Sequence, residues 1–454
     1  MAKLKVHENH SYLMYEDGRP FFYLGDTAWD LFHRLSREEA EFYFSVRAKQ
    51  GFNVIQCTLL GGATWDVGTR NKYGRKCLKE PYEELIFDTE GADSYWGFVD
   101  WCLKCGEKYG LYFVLMPMWN FRYLDPENTI FKGYEPSYKY GKFLGERYRD
   151  YDNIIWMHGG DVQVQEHMHE IFRGIADGIH DGEGDREHRH LGTFHPRGLS
   201  TSVGQLGGDR EYVDFHMSQS SHTVTSYHAY RFFEEMRPMG KPFLDGEPQY
   251  EDHVANWLKH MKRFDETDIR REAYECVLAG ACGHAYGNPL VAFFLYEPLE
   301  QFKYHYFLGD LKDTGWIDAL THPGAESLKH LVKLRLSRPY FDFRPAQEMV
   351  LNSDDDLLFG HIAAGRGDKY AFIYTPYGRE IQVDCSCLSG EFIRASWFDP
   401  RTGEETVICD ISPRKAVFVP ETRGKGQDWV LILEADKHEW KLEEQEWEKA
   451  GKDN

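Results

Sequence analysis

Ile154-Ile155-Trp156-Met157-His158-Gly159-Gly160-Asp161 is an apolar run that stops at a carboxylate. A second run, Pro242-Phe243-Leu244-Asp245-Gly246-Glu247, repeats the pattern further along. Each reads as a short strand buried on both faces and ending in an acid, as strands of parallel sheets do. In a barrel of alternating strands and helices, the C-terminal strand ends all open onto one face, where the chemistry is done. Two acids delivered to that face are the minimum set for hydrolysing a glycosidic bond.

Outward from these runs the alternation continues. Residues 12–24 form two apolar runs around Asp17-Gly18, a hairpin signal. An amphipathic helix, Arg37–Gln50, ends at Gly51. Then come a strand (Asn53–Leu59), a polar loop (60–92), a helix near 94–109, a strand (Leu111–Pro117) and a helix near 136–149. The run at 153–157 is followed by a helix near 163–179, and two strands are expected at His190–Phe194 and Tyr212–Met217. A helix near 224–236 precedes Pro242–Leu244, and the last expected helix, Ile269–Cys282, runs into Gly283-His284-Ala285-Tyr286-Gly287. Roughly eight strand–helix units predict a (β/α)₈ TIM barrel, an α/β fold. An open doubly wound sheet competes, but no Gly-x-Gly-x-x-Gly follows the first strand. After Pro339 short alternating runs such as Tyr370–Tyr374 and Trp429–Leu433 predict an all-β, antiparallel sandwich domain. The expected division is a barrel with an N-terminal β-hairpin over 1–338, a β-sandwich over 339–436 and a charged tail over 437–454.

Composition narrows the partners. Twelve Trp and 28 Tyr suit a protein that stacks rings on the C–H faces of sugars, although aromatics serve cores equally well. A net charge of −21 opposes nucleic acid and anionic membranes as partners, and leaves acidic sugars to a local Arg or Lys. No segment approaches the ~20 apolar residues of a membrane span. Met1–Asn9 has no apolar h-region, so a cytoplasmic protein without signal peptide is expected. Nine scattered cysteines, an odd number, fit a reducing compartment. Cys102 and Cys105 have a metal-like spacing but fall mid-helix with no second pair, so they read as buried thiols.

No metal and no cofactor are expected. His167 and His169 fall at i, i+2 on different helix faces, and His188 and His190 sit in a charged loop. A metal-dependent barrel hydrolase would want His-x-His at the first strand end, where Gly25-Asp26-Thr27 stands.

Asp161 ends the fourth strand and Glu247 the seventh, so the two can face each other across the mouth. The ordinary alternatives are a helix N-cap for Asp161 and a salt bridge to Arg or Lys for Glu247. A register one residue off would turn Asp245 inward instead. Other strand ends supply candidate sugar contacts: Asp26 and Trp29 at the first, Trp119 and Asn120 at the third, and His158 within the fourth. His195 ends the fifth, His216 and His222 follow the sixth, and Tyr286 ends the eighth. Tyr250 and Glu251, just past Glu247, could orient it.

Gly25-Asp26-Thr27-Ala28-Trp29, Gly51 through Gln56, Trp156 through Asp161, Thr193 through Gly198 and Gly246-Glu247-Pro248 with Tyr250-Glu251 resemble motifs of the apiosidase-like barrels grouped around glycoside hydrolase family 140. Trp397 through Gly403 resembles the collagen-binding-type β-sandwich that accompanies them. The resemblance implies a retaining glycosidase with Asp161 as general acid/base and Glu247 as nucleophile. The family releases apiose, a branched sugar joined to galacturonic acid in pectin side chains. Where family members continue the eighth strand with a Trp-containing segment, this chain has Asn288 through Phe294 without Trp. The expectation is an exo-acting glycosidase (EC 3.2.1.-) for short, plant-derived, pectin-type oligosaccharides. Its rival is a non-catalytic carbohydrate-binding protein on the same barrel. Oligomeric state is left open.

Overall fold

The computed structural model describes residues 1–61, 70–119, 130–184, 189–224, 228–296 and 315–436. Asn120, His188 and the 437–454 tail lie outside them.

Eight parallel strands form the barrel: β1 (Tyr23–Thr27), β2 (Val54–Thr58), β3 (Tyr112–Met116), β4 (Ile154–Gly159), β5 (Gly192–His195), β6 (His216–Gln219), β7 (Phe243–Asp245) and β8 (Gly283–Tyr286). Six of them, in the order β5-β4-β3-β2-β1-β8, share one ladder, and β6 pairs with β7. The seams close through isolated hydrogen bonds rather than a regular ladder. Asp214 N–H donates to the Gly192 carbonyl (2.7 Å) beside β5, and Cys282 N–H donates to the Phe243 carbonyl (2.9 Å) between β7 and β8.

Alternation sorts each strand's side chains. In β4, Ile155 and Met157 pack inside with Val114 and Met116, whereas Ile154 and Trp156 face the outer helices. Those helices are α1 (Arg37–Lys49), α2 (Tyr95–Glu107), α3 (Tyr134–Tyr148), α4 (Glu166–Glu183), α5 (Glu266–Leu278) and α6 (Pro323–Leu336), with short turns of helix elsewhere. Reciprocal capping boxes, Ser36 with Glu39 and Asp265 with Asp268, start α1 and α5. Strands Leu4–Val6, Leu13–Tyr15 and Pro20–Phe21 make a three-stranded antiparallel sheet, one strand more than the hairpin read at Asp17-Gly18.

Three boundaries differ from expectation. β5 and β6 both end later than read, β6 at Gln219 rather than Met217, because Tyr212–Phe215 turns and lends Asp214 to the backbone of Gly192. Helix α5 stops at Leu278, and Gly280 at φ 101° breaks the chain toward β8. Helix α6, opened by Pro323 in its first turn, was not foreseen.

The C-terminal part is all antiparallel strand: β9 (Arg344–Pro345), β10 (Ala363–Arg366), β11 (Tyr370–Thr375), β12 (Ile381–Asp384), β13 (Ile393–Phe398), β14 (Glu405–Ile411), β15 (Lys415–Phe418) and β16 (Trp429–Ala435). Six form a sheet in the order β9-β10-β11-β16-β13-β14, while β12 pairs with β15 over one face. Ala371, Ile373, Leu431 and Leu433 pack under that pair, and the alternate residues Phe372, Tyr374, Val430 and Ile432 join the barrel's core. Covered on both faces, β11 is buried at all six positions, which is why it reads as an unbroken apolar run.

Candidate active site

Three consecutive residues at the end of β4 adopt positive φ: Gly159 (96°), Gly160 (133°) and Asp161 (50°). Glycine enters that region freely and Asp is among the few others that tolerate it. The turn presses onto β5. Gly160 N–H donates to the His195 carbonyl (3.3 Å), and a Cβ on Gly159 would lie 2.2 Å from that same oxygen. Gly159→Ala therefore costs about 1–3 kcal/mol in backbone conformation alone, plus a clash against a carbonyl that cannot yield. A lowered Tm with weakened activity is the expected result, and an unchanged Tm would refute this account of the turn.

Asp161 is not a helix cap, since α4 begins at Glu166 after Gln165. Its carboxyl opens into a cavity of about 450 Å³ at the C-terminal ends of the strands, which Glu247 also lines. Glu247 has no Arg or Lys partner among the described residues. His195 Nε2 lies 3.0 Å from its Oε2 and His222 Nε2 lies 3.3 Å from its Oε1. Burial works to raise the Glu247 carboxyl, but the two imidazoles outweigh it and hold it down to about 2. The opposite happens to Asp161, whose side chain is open to solvent at the cavity mouth: the protein crowded around its carboxyl, then the Glu247 charge, push it up to about 6. Asp245 faces away, under α5 beside Glu272, and burial followed by Glu272 raises its carboxyl well above the ordinary range.

Trp29 and Trp119 line the cavity with ring centroids 4.7 Å apart, and both meet the His195 ring edge-on at 5.5 and 5.6 Å. Tyr250 packs against His222, ring centroids 4.3 Å apart and tilted by 51°. Burial and then the Glu247 charge keep its phenol well above the usual value, so it remains an O–H donor. Asp161, Glu247, Trp29, Trp119, His195, His222 and Tyr250 thus converge.

Five other candidates do not reach the cavity. Asp26 faces outward on β1, where it accepts bonds from Tyr43 (2.5 Å) and Arg47 (2.6 Å) of α1. Tyr286 is its register partner on β8 and shares that outer side, its ring 5.4 Å from the Arg47 guanidinium and its hydroxyl donating to Glu251 (2.7 Å). Glu251 in turn accepts from Gly324 N–H (2.8 Å) and Ala325 N–H (3.3 Å) at the start of α6. His158 falls on the outer face of β4 with Trp156. It packs on Tyr212 at 5.0 Å, and burial lowers its imidazole to about 3. His216 opens β6 at the opposite end of the barrel, beside Ser202 (2.9 Å), so it is far from the strand end where it was sought.

The cavity also recruits residues not singled out beforehand: Arg197, Gln219, Ser221, His253, Trp257 and Phe293 among them. Arg197 stands in the Thr193–Gly198 motif and Ser221 beside His222, whereas Trp257 and His253 come from a loop with no periodic signal. Asp161, Leu199, Ser221 and Trp257 line the cavity and are four of the non-glycine residues held at positive φ. Such strain collects where the surrounding structure enforces a functional geometry. Among the described residues, no group of three or more His, Cys, Asp or Glu side chains forms a metal-sized cluster. No helix among them is long and apolar enough to cross a membrane.

A family model described as "Apiosidase-like, catalytic domain" matches residues 7–342, and one described as "Putative collagen-binding domain of a collagenase" matches residues 345–434. The chain is similar to a crystal structure of a glycoside hydrolase family 5 protein from Bacteroides vulgatus ATCC 8482, with 30% identity over 98% of each chain and a TM-score of 0.87. A second solved structure, described as a glycoside hydrolase, shares 30% identity over 96% of this chain and 98% of its own, with a TM-score of 0.86. No curated protein matches the chain. With the catalytic-domain model spanning most of its length and the glycoside hydrolase fold shared from end to end, the chain belongs to the apiosidase-like family.

Proposed function

We propose that this protein is a retaining, exo-acting glycosidase for short pectin-type oligosaccharides, with Asp161 as general acid/base and Glu247 as nucleophile. One observation carries the reading: the Asp161 and Glu247 carboxyls line one cavity, in surroundings that push the first up to about 6 and hold the second down to about 2. Such a split is how one fold provides an acid and an anion together near neutral pH. The Asp161 proton goes to the glycosidic oxygen as a Glu247 oxygen bonds to the anomeric carbon and the leaving C–O bond breaks. In the resulting ester the Glu247 charge is gone, so one cause of the high Asp161 pKa is gone too. Asp161 is then a carboxylate able to take a proton from water, whose oxygen bonds to the anomeric carbon and frees Glu247. A cavity of about 450 Å³ is the size of a small-molecule site, which suits the end of a short oligosaccharide. Trp29 and Trp119 give the cavity an aromatic wall, and nine free thiols fit a reducing compartment.

The test is a screen of aryl glycosides and pectin-derived oligosaccharides with the anomer of the first product followed by NMR. Retention is expected. Inversion would remove the nucleophile role, and sugar binding without turnover would make the protein a binding module.

The pH dependence follows from the same split. Activity needs Asp161 protonated and Glu247 ionised, so kcat/KM should fall tenfold per pH unit above about 6 and hold on the acid side toward 2 while the fold survives. Stability runs the same way. The folded state keeps a proton on Asp161 that the unfolded chain releases between 3.8 and about 6, so stability falls as pH rises through that window. Asp161→Asn, which tolerates the left-handed backbone, should raise Tm at neutral pH and leave it unchanged below pH 3.8. A lower Tm at neutral pH would contradict this.

A further inference from the structure

Behind the cavity, α5 carries four buried charged side chains in one turn and a half: Arg270, Arg271, Glu272 and Glu275. A carboxyl buried in a helix is tolerated only when its oxygens are satisfied, and the oxygens of Glu272 go to two different loops. Oε1 accepts from Ser220 Oγ (3.0 Å), in the loop that leaves β6, and Oε2 accepts from Gln249 N–H (2.9 Å), in the loop that leaves β7. Ser220 stands two residues before His222, and Gln249 two residues after Glu247. The same loops are stitched together by Ser221 N–H to the Glu247 carbonyl (3.1 Å) and by Gln249 Nε2 to the Thr223 carbonyl (3.0 Å). Ser220 N–H also donates to Asp245 (3.2 Å), and Arg271 donates to Gln249 Oε1 (3.4 Å).

We propose that Glu272 is a positioning residue. By bridging Ser220 and Gln249 from a rigid helix, it fixes the separation of the β6 and β7 loops and so the contact between His222 and Glu247. The inference rests on the glycosidase reading of Glu247. It explains why a carboxyl with no route to the cavity sits fully buried behind it. Neither Ser220 nor Glu272 touches substrate space, so the effect on chemistry passes through Glu247.

The test is steady-state kinetics, with pH profiles, on an aryl glycoside that the wild type cleaves. Glu272→Ala should lower kcat about 10²-fold, the scale of a small misplacement at a reacting centre, with KM changed far less. Its basic limb should move to lower pH as Glu247 drifts from Asp161. Glu272→Gln, which keeps one acceptor, should recover part of the loss, and Ser220→Ala, a minimal change to the fold, should show a smaller loss in the same direction. A folded Glu272→Ala enzyme with wild-type kcat and pH profile overturns the proposal. So does a loss matched by the unfolded fraction alone, with the pH profile intact. If the wild type cleaves nothing, the glycosidase reading has failed, and carbon-13 titration of the Asp161 carboxyl decides this point instead. A lower midpoint in Glu272→Ala supports positioning, and superimposable curves refute it.

Discussion

Glu247→Ala is expected to lower turnover by on the order of 10⁴-fold or more, as removal of a nucleophile does, while leaving the protein folded. The side chain is 8% exposed, and it is held by two imidazoles rather than by a strong cation. Removing it deletes a buried charge, and the cavity beside it lets water take over the contacts that His195 and His222 lose. What is lost is the atom that bonds to the anomeric carbon. The alanine leaves a notch on that side of the sugar, into which azide fits. Added azide should restore turnover of an activated aryl glycoside and give a glycosyl azide of inverted configuration. Full activity in a folded Glu247→Ala protein ends the assignment. A change confined to KM would make Glu247 a binding group.

The second large effect lies far from the cavity. Arg270 of α5 and Asp428 form a bidentate pair (2.9 and 2.8 Å), with side chains 3% and 0% exposed, and Tyr374 donates to the same carboxylate at 3.2 Å. Next to them Tyr274 stacks on Tyr374, centroids 4.8 Å apart. Asp428→Ala strands a guanidinium in a dry interface, which costs about 3–5 kcal/mol, and should lower Tm by several degrees. Replacing both partners, as Arg270→Met with Asp428→Leu, should return most of that stability, because a desolvated pair barely outperforms an apolar one. Equal Tm values for the single and double variants would show that the pair is not the cause. Truncation at Pro339 removes the whole partner face, including Phe372, Tyr374, Val430 and Ile432. An insoluble or inactive barrel is the expected result, and a soluble, active one would show that the sheet is dispensable.

The alternation of strand and helix was legible because barrel strands are buried on both faces and so appear as short apolar runs between amphipathic helices. The ends of β4 and β7 were legible for the same reason: an acid after such a run marks where burial gives way to the mouth. What a run cannot reveal is which of two neighbouring residues points inward. Asp26, His158 and Tyr286 all fell on the outer side of strands whose inner side forms the barrel core, and period-2 alternation helps only once the register is known. His216 failed differently. The apolar stretch Tyr212–Met217 holds a turn stabilised by a side chain, so the strand starts where it was expected to finish. Trp257, His253 and Phe293 reach the cavity from loops, which have no period to read.

In many barrels the loops after the seventh and eighth strands, with a helix start nearby, provide the seat for a phosphate, because free N–H groups gather there. Here two of the helix starts described after β8 are already occupied. Asn288 Oδ1 takes Leu290 N–H (2.9 Å) at the first, and the Glu251 carboxyl takes Gly324 and Ala325 N–H at the second. At these two starts an incoming phosphoryl group would meet an amide oxygen and a carboxyl where free donors would be needed. The start of α6 is thereby closed to a phosphorylated sugar, its N–H groups committed to holding Glu251 in place.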